Sequence, residues 1–197
     1  MQIDKRILGL CDIARKDGVI SALAGVRFEK GKAVATDGYR LLIIEAEEPR
    51  LDDIPRVAGQ EPVALENVTV RAKDLVRAVK PIKRNKHVEV LNTAWMVKAE
   101  EGFVRLVTTD LETTSIIDSR IIENSYPDYE KVIVKEEPKG VVRVDVKLLE
   151  GLLSAVRKAG VAHIDLEFHG ELKPLQIKGK DFKEREVTAL VMPVRRA

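Results

Sequence analysis

The cationic side chains between positions 73 and 86 have the spacing of a phosphate-binding face. Lys73, Arg77, Lys80 and Arg84 recur at intervals of four, three and four residues, which on a helix stacks them along one side opposite Leu75 and Val79. That stacking requires the helix to continue past Pro81, and Lys83 and Lys86 extend the run. Ammonium and guanidinium groups in a line can grip a nucleic-acid backbone without reading its bases, through contacts that weaken steeply with salt. Lys5, Arg6, Arg15 and Lys16 repeat the theme near the start of the chain, and Arg157 with Lys158 repeat it further on. Asp12, Asp17 and Glu150 dilute these two runs, so an ordinary solvated helix face competes with the binding reading there.

Other chemistry finds less support. Catalysis needs converging acid, base, nucleophile or metal ligands. His87, His163 and His169 fall on strand-like segments, and the last two have no carboxylate at a recognised ligand spacing. Asp37 in ATDG and Asp110 in TTDL occupy matching places, which suits a turn role better than a carboxylate pair. The sequence has no Gly-rich phosphate loop, no GxSxG and no HExxH. Cys11, the single cysteine, sits among Leu8, Leu10 and Ile13 and reads as a small core residue. Trp95 reads as packing rather than a base-stacking platform. A non-enzyme with no metal and no cofactor is expected.

The elements that must carry these residues recur. A short extended lead-in, an amphipathic helix with basic residues and a run of alternating strands occur three times, with helices near Lys5, Lys73 and Val146, 68 and 73 residues apart. In the first repeat Asp4 suits a helix N-cap, Ile7, Leu8, Cys11, Ile13 and Ala14 supply the apolar stripe, and Gly18 follows the last turn. VRFEK and KAVATD then flank a Lys-Gly hairpin signal, and YRLLIIEAE continues as a strand. In the second repeat VTVRA leads in, KDLVRAVK is the helix, Pro81 should end or kink it, and WMVKAE and FVRLVTT flank a hairpin at Glu101-Gly102. In the third, VVRVD leads into a helix with Leu148, Leu149, Leu152, Leu153 and Val156, followed by HIDLEFH, PLQIKG and REVTALVMPV.

One helix on one small sheet cannot close a core, so two repeats must pack together. Residues 1–124 should form one such α+β domain, 125–140 a charged, proline-containing connector, and 141–197 a third repeat with no partner in its own chain. The 45% hydrophobic content across 197 residues fits a folded protein, and 34% charged residues with a net charge of only +2 mean that segregation of charge matters more than its sum. No run of about 18 apolar residues occurs, and Asp4, Lys5 and Arg6 interrupt the start where a signal peptide would be apolar, so a cytoplasmic protein with no membrane contact is expected.

Three segments carry a family likeness. ATDGYRLL at 35–42 is similar to ATDGHRLA of the bacterial DNA sliding clamp, the polymerase III beta subunit. SYPDYEKVIV at 125–134 is similar to the FPDYRRVLP that closes the clamp's middle domain, and VMPVRR at 191–196 to its C-terminal VMPMRL. They occur in the clamp's order, each at the matching place in a βαβββ repeat, and LAGVRFEKGKAVATDGYRLL is similar to the first half of the middle domain almost without gaps. The chain resembles a shortened clamp in which the first two repeats correspond to the middle domain and the third to the second half of the last domain. The clamp's first domain and the opening half of its last domain have no counterpart.

The resemblance implies the DNA-clamp fold and a processivity role in replication or repair. It implies a peptide-binding pocket formed by Leu23, Thr36, Gly38, Tyr39, Arg40, Leu41, Pro127, Lys131, Val132, Val191, Met192, Pro193, Val194 and Arg195, receiving short motifs from DNA polymerase, the clamp loader or repair proteins. Tyr39 stands where histidine is commoner and Lys131 where arginine is, a point charge in place of a fork. It further implies that the helices face double-stranded DNA independently of its sequence, through Lys5, Arg6, Lys73, Arg77, Lys80, Lys83, Arg84, Lys86, Arg157 and Lys158. A homo-oligomer would pair the third repeats, as a tetrameric ring by the repeat count or as a dimer. A non-encircling adaptor or competitor for clamp-binding peptides, and a simple DNA-binding module, are the competing readings.

Overall fold

A computed structural model describes residues 2–15, 22–45, 67–83, 85–133, 138 and 140–194. The first repeat contributes β1 (Gln2–Ile3), α1 (Ile7–Ile13), β2 (Gly25–Glu29), β3 (Lys32–Thr36) and β4 (Leu41–Glu45). The second contributes β5 (Val68–Arg71), α2 (Ala72–Val79), β6 (Ala94–Lys98), β7 (Phe103–Thr109) and β8 (Thr114–Arg120). Gly31 and Gly102, with φ of 71° and 78°, turn the β2–β3 and β6–β7 hairpins in a backbone region that a Cβ disfavours.

The two repeats are interlocked by their lead-in strands. β1 of the first pairs with β6 of the second, and β5 of the second pairs with β2 of the first, both antiparallel. The result is two four-stranded sheets, ordered β1-β6-β7-β8 and β4-β3-β2-β5. Neither repeat's sheet is complete without a strand from the other. α1 and α2 pack against each other, and Leu10, Val26, Phe28, Leu75, Val79, Met96 and Leu106 form the heart of one shared core.

The helix boundaries follow local chemistry. α1 starts at Ile7 with Arg6 in the N-cap position, while Asp4 accepts the Arg6 N–H at 2.8 Å just ahead of it. α2 ends at Val79 because Pro81 has no N–H to give and its ring clashes with the preceding turn. Cys11 lies in the core, where burial first and the Asp12 charge second push its thiol up to about 12. The thiolate is the reactive form, so Cys11 is expected to resist an aromatic disulfide reagent at pH 8 in the folded protein and to react fully in denaturant. Rapid native labelling would contradict this placement.

The chain divides after Ile133 into two compact units. The first part of the expected connector belongs to the first unit: Tyr126 donates its hydroxyl to the Val34 carbonyl at 3.3 Å, and Tyr129 to Glu29 at 2.6 Å. The second unit holds α3 (Val146–Lys158) and a three-stranded antiparallel sheet of β9 (Ile164–Glu167), β10 (Leu175–Lys180) and β11 (Glu186–Val191), ordered β11-β10-β9. Asp145 caps α3 by accepting from Lys147 and Leu148 N–H at 2.9 and 3.0 Å.

Two expectations for this repeat change. VVRVD at 141–145 pairs with no strand among the described residues. The apolar stripe of α3 is only partly covered, since Val156 is buried but Leu148 is 59% exposed and Leu153 36%. Both observations go together, because a strand needs a neighbour and a stripe needs a second layer, and neither is supplied by the described residues.

Candidate functional site

α2 presents Lys73 and Arg77 to solvent, with Lys80 at its C-cap, while Leu75 and Val79 on the other side are fully buried. Buried Asp74 fixes the helix against β8 by accepting the Ser119 hydroxyl at 2.8 Å, and Arg77 lies 3.7 Å from the same carboxylate. The stripe does not run on as a helix to Arg84. Lys83 and Lys86 are exposed on the loop after Pro81, and Arg84 lies outside the described residues. Arg77 and Lys80 also complement the negative end of the helix dipole.

The other basic candidates are distributed. Lys5 and Arg6 precede α1 and are exposed, and the Arg6 guanidinium is held by Asp4 at 2.7 Å. Arg157 and Lys158 are exposed in the last turn of α3, in the second unit. His87 lies in a bend, and His163 and His169 flank β9 rather than lying on strands. Among the described residues, no three His, Cys, Asp or Glu side chains gather as metal ligands would.

The peptide-site candidates of the first unit occupy two adjoining segments. At the β3–β4 turn, Gly38 with φ 93° donates its N–H to Thr36 Oγ1 at 3.1 Å, and Tyr39 is 99% exposed. The Arg40 guanidinium pairs with its own turn, where Asp37 Oδ2 accepts from its Nε at 2.9 Å and lies 2.7 Å from its second nitrogen, while the side chain remains largely exposed. Leu41 is half-buried, and Leu23 accepts the Arg15 N–H at 2.8 Å. In the neighbouring segment Pro127 lines a cavity of about 390 Å3 with Arg27, Glu29, Asn67 and Ile122, Lys131 pairs with Asp128 at 3.0 Å, and Val132 is 69% exposed. Of the second unit's candidates, Val191 is buried, Pro193 half-buried, Met192 63% and Val194 45% exposed, and Arg195 lies outside the described residues.

A cluster that sequence reasoning missed ties the 126–130 segment to the β2–β3 hairpin. Glu29 receives the Tyr129 hydroxyl, Lys32 bridges Glu29 at 3.4 Å and Glu130 at 2.9 Å, and Tyr126 meets Tyr129 edge to face. Burial alone would raise the Glu29 carboxyl, but hydrogen bonds from Tyr129 and Lys32 outweigh it and hold it below its ordinary value. Tyr129 is pushed up by burial and by its bond to Glu29.

The turn aspartates are a second repeated device. Asp37 accepts from Tyr39 and Arg40 N–H at 2.9 and 2.7 Å, and Asp110 from Glu112 and Thr113 N–H at 3.1 and 2.7 Å. Asp181, unremarked in the sequence, does the same in the β10–β11 turn for Lys183 and Arg185 at 2.8 and 3.0 Å. The Arg40 and Tyr39 N–H groups, then the Arg40 side chain, lower Asp37 to about 2. A lowered carboxylate contributes stability above its unfolded value of 3.8 that is lost as pH falls through about 2. Asp37→Asn is therefore expected to melt lower than the parent at pH 7, with the gap closing as pH falls from about 4 toward 2. A pH-independent gap in thermal melts would contradict this role.

No known protein-family model matches the sequence, nor does any curated protein. Solved structures do. A DNA polymerase sliding clamp from Caulobacter crescentus superposes with a TM-score of 0.65 at 18% identity, over 98% of this chain and 50% of that chain. A sliding clamp (DNA polymerase III subunit beta) from Pseudomonas aeruginosa bound to griselimycin gives 0.67 at 18% identity, over 100% of this chain and 50% of its own. The Bacillus subtilis DNA polymerase sliding clamp gives 0.65 at 18%, over 98% of this chain and 48% of its own. The interlocked βαβββ repeats are thus the fold of the bacterial DNA polymerase III beta sliding clamps, spanning about half the length of those chains.

Proposed function

We propose that this protein is a clamp-like processivity factor that holds double-stranded DNA on the cationic faces of its helices and tethers a polymerase or repair protein through short peptide motifs. It binds and positions rather than catalyses. The observation that carries the reading is α2, whose buried face is locked by Leu75, Val79 and the Asp74–Ser119 bond while Lys73, Arg77 and Lys80 line the solvent side of a clamp fold. Tyr39, Val132, Met192 and Val194 are exposed apolar side chains suited to peptide contact. Self-association, by the family's ring logic, would place several such helices on one duplex.

Binding to two duplexes of unrelated sequence tests the DNA reading. Equal affinities that fall together with added salt are the expected result. A marked preference for one sequence would overturn the clamp reading, and no binding to either would favour the non-encircling adaptor. No helix among the described residues is long and apolar enough to cross a membrane.

A further inference from the structure

In the first unit every three-stranded meander is completed by a lead-in strand from the other repeat: β5 covers the free edge of β2, and β1 that of β6. The third repeat has the same parts but lacks the exchange. β9 is an open edge of its sheet and 141–145 an unpaired lead-in among the described residues. The lead-in is nonetheless set as its counterpart is. Val194 N–H donates to the Arg143 carbonyl at 2.8 Å, as Ile122 N–H donates to Thr69 at 2.9 Å, and both acceptors stand two residues before their helix N-caps, Asp145 and Arg71. In β5 the opposite edge is the one that binds β2.

We propose that a second copy of this chain completes the third repeat by reciprocal exchange, residues 141–145 of each copy adding antiparallel to β9 of the other, with the two α3 helices packed together. The first unit supplies the register. Val70 opposite Val26, Thr69 opposite Arg27 and Val68 opposite Phe28 translate to Val144 opposite Ile164, Arg143 opposite Asp165 and Val142 opposite Leu166. Valines then meet the core-side residues Ile164 and Leu166, which are 37% and 50% exposed in the single chain, and a cation meets an anion on the solvent side.

The helix positions agree. Ala72 and Val79 of α2 are 9% and 0% exposed, whereas their α3 counterparts Val146 and Leu153 are 77% and 36% exposed. An open edge beside an uncovered apolar face invites pairing. A twofold axis satisfies both copies at once, because the first unit's two repeats already exchange strands reciprocally. The inference is independent of DNA binding.

The test is solution mass by light scattering on the full chain over a concentration series, with Arg143→Asp and Asp165→Arg as variants. Both positions are exposed, and circular dichroism checks that each variant is folded. The parent is expected as a dimer or an even-numbered assembly of dimers. Each single variant sets two like-charge pairs in the symmetric interface and should weaken dimerisation by about tenfold or more. Mixing the two variants restores both opposite-charge pairs, and with them the parent affinity, as a mixed dimer. A monomer at every concentration reached, or an oligomer that neither single change weakens, overturns the proposal and assigns the face to another occupant.

Discussion

Replacing Lys73, Arg77 and Lys80 together by alanine is expected to lower affinity for duplex DNA by roughly 500-fold near 0.1 M salt. Each phosphate contact contributes about 0.9 to the slope of log affinity against log salt, so three contacts are worth about 2.7 decades between 0.1 M and 1 M. The slope itself should fall by close to three. Lys73, Arg77 and Lys80 are exposed and lie opposite the buried side of α2, so the fold is expected to survive. Only Arg77 has a marked partner, Asp74 at 3.7 Å, and Asp74 keeps its Ser119 bond. An unchanged slope in fluorescence anisotropy titrations would remove α2 from the DNA surface.

Leu75→Ala acts through the core beneath the same helix and is expected to cost about 2–5 kcal/mol. Leu75 is fully buried among Leu10, Val79, Met96 and Leu106, where the interlocked sheets leave little room to collapse into the space. Against a usual total of about 5–15 kcal/mol, that is a large fraction, and a fall in Tm on the order of 10 °C should follow. Val132→Ala, at a side chain 69% exposed, should cost less than about 0.5 kcal/mol. It is therefore a clean probe of peptide contact. Comparable losses from both changes in thermal melts would contradict the core assignment.

The repeats were readable because strand and helix periods alternate with Gly-marked hairpins, and Lys-Gly at 30–31 and Glu-Gly at 101–102 became turns. The end of α2 was readable from Pro81. What could not be read was the exchange of lead-in strands: Gln2–Ile3 is two residues long, and pairing across repeats is a tertiary choice that periodicity does not encode. β8 is not legible in the sequence, because TSIIDSR breaks apolar alternation, yet Arg105 pairs with Asp118 across the β7–β8 ladder and Ser119 faces inward to Asp74. Asp37 and Asp110 announced their turns through the TD dipeptide, whereas Asp181 sits in KDFKER without that signal. At the candidate site, the cationic spacing located α2 but could not show that Asp37 pairs with Arg40, because that pairing depends on the turn geometry.

Which face of the molecule meets DNA can be read from lysine acetylation of the whole protein, with and without saturating duplex, mapped residue by residue by mass spectrometry. Lys73 and Lys80 on α2 are expected to be shielded by DNA, while Lys98 on β6 and Lys178 on β10, both exposed on sheets, should react at unchanged rates. Shielding of Lys98 and Lys178 with Lys73 and Lys80 left reactive would place DNA on the sheets and contradict a clamp-like grip through the helices.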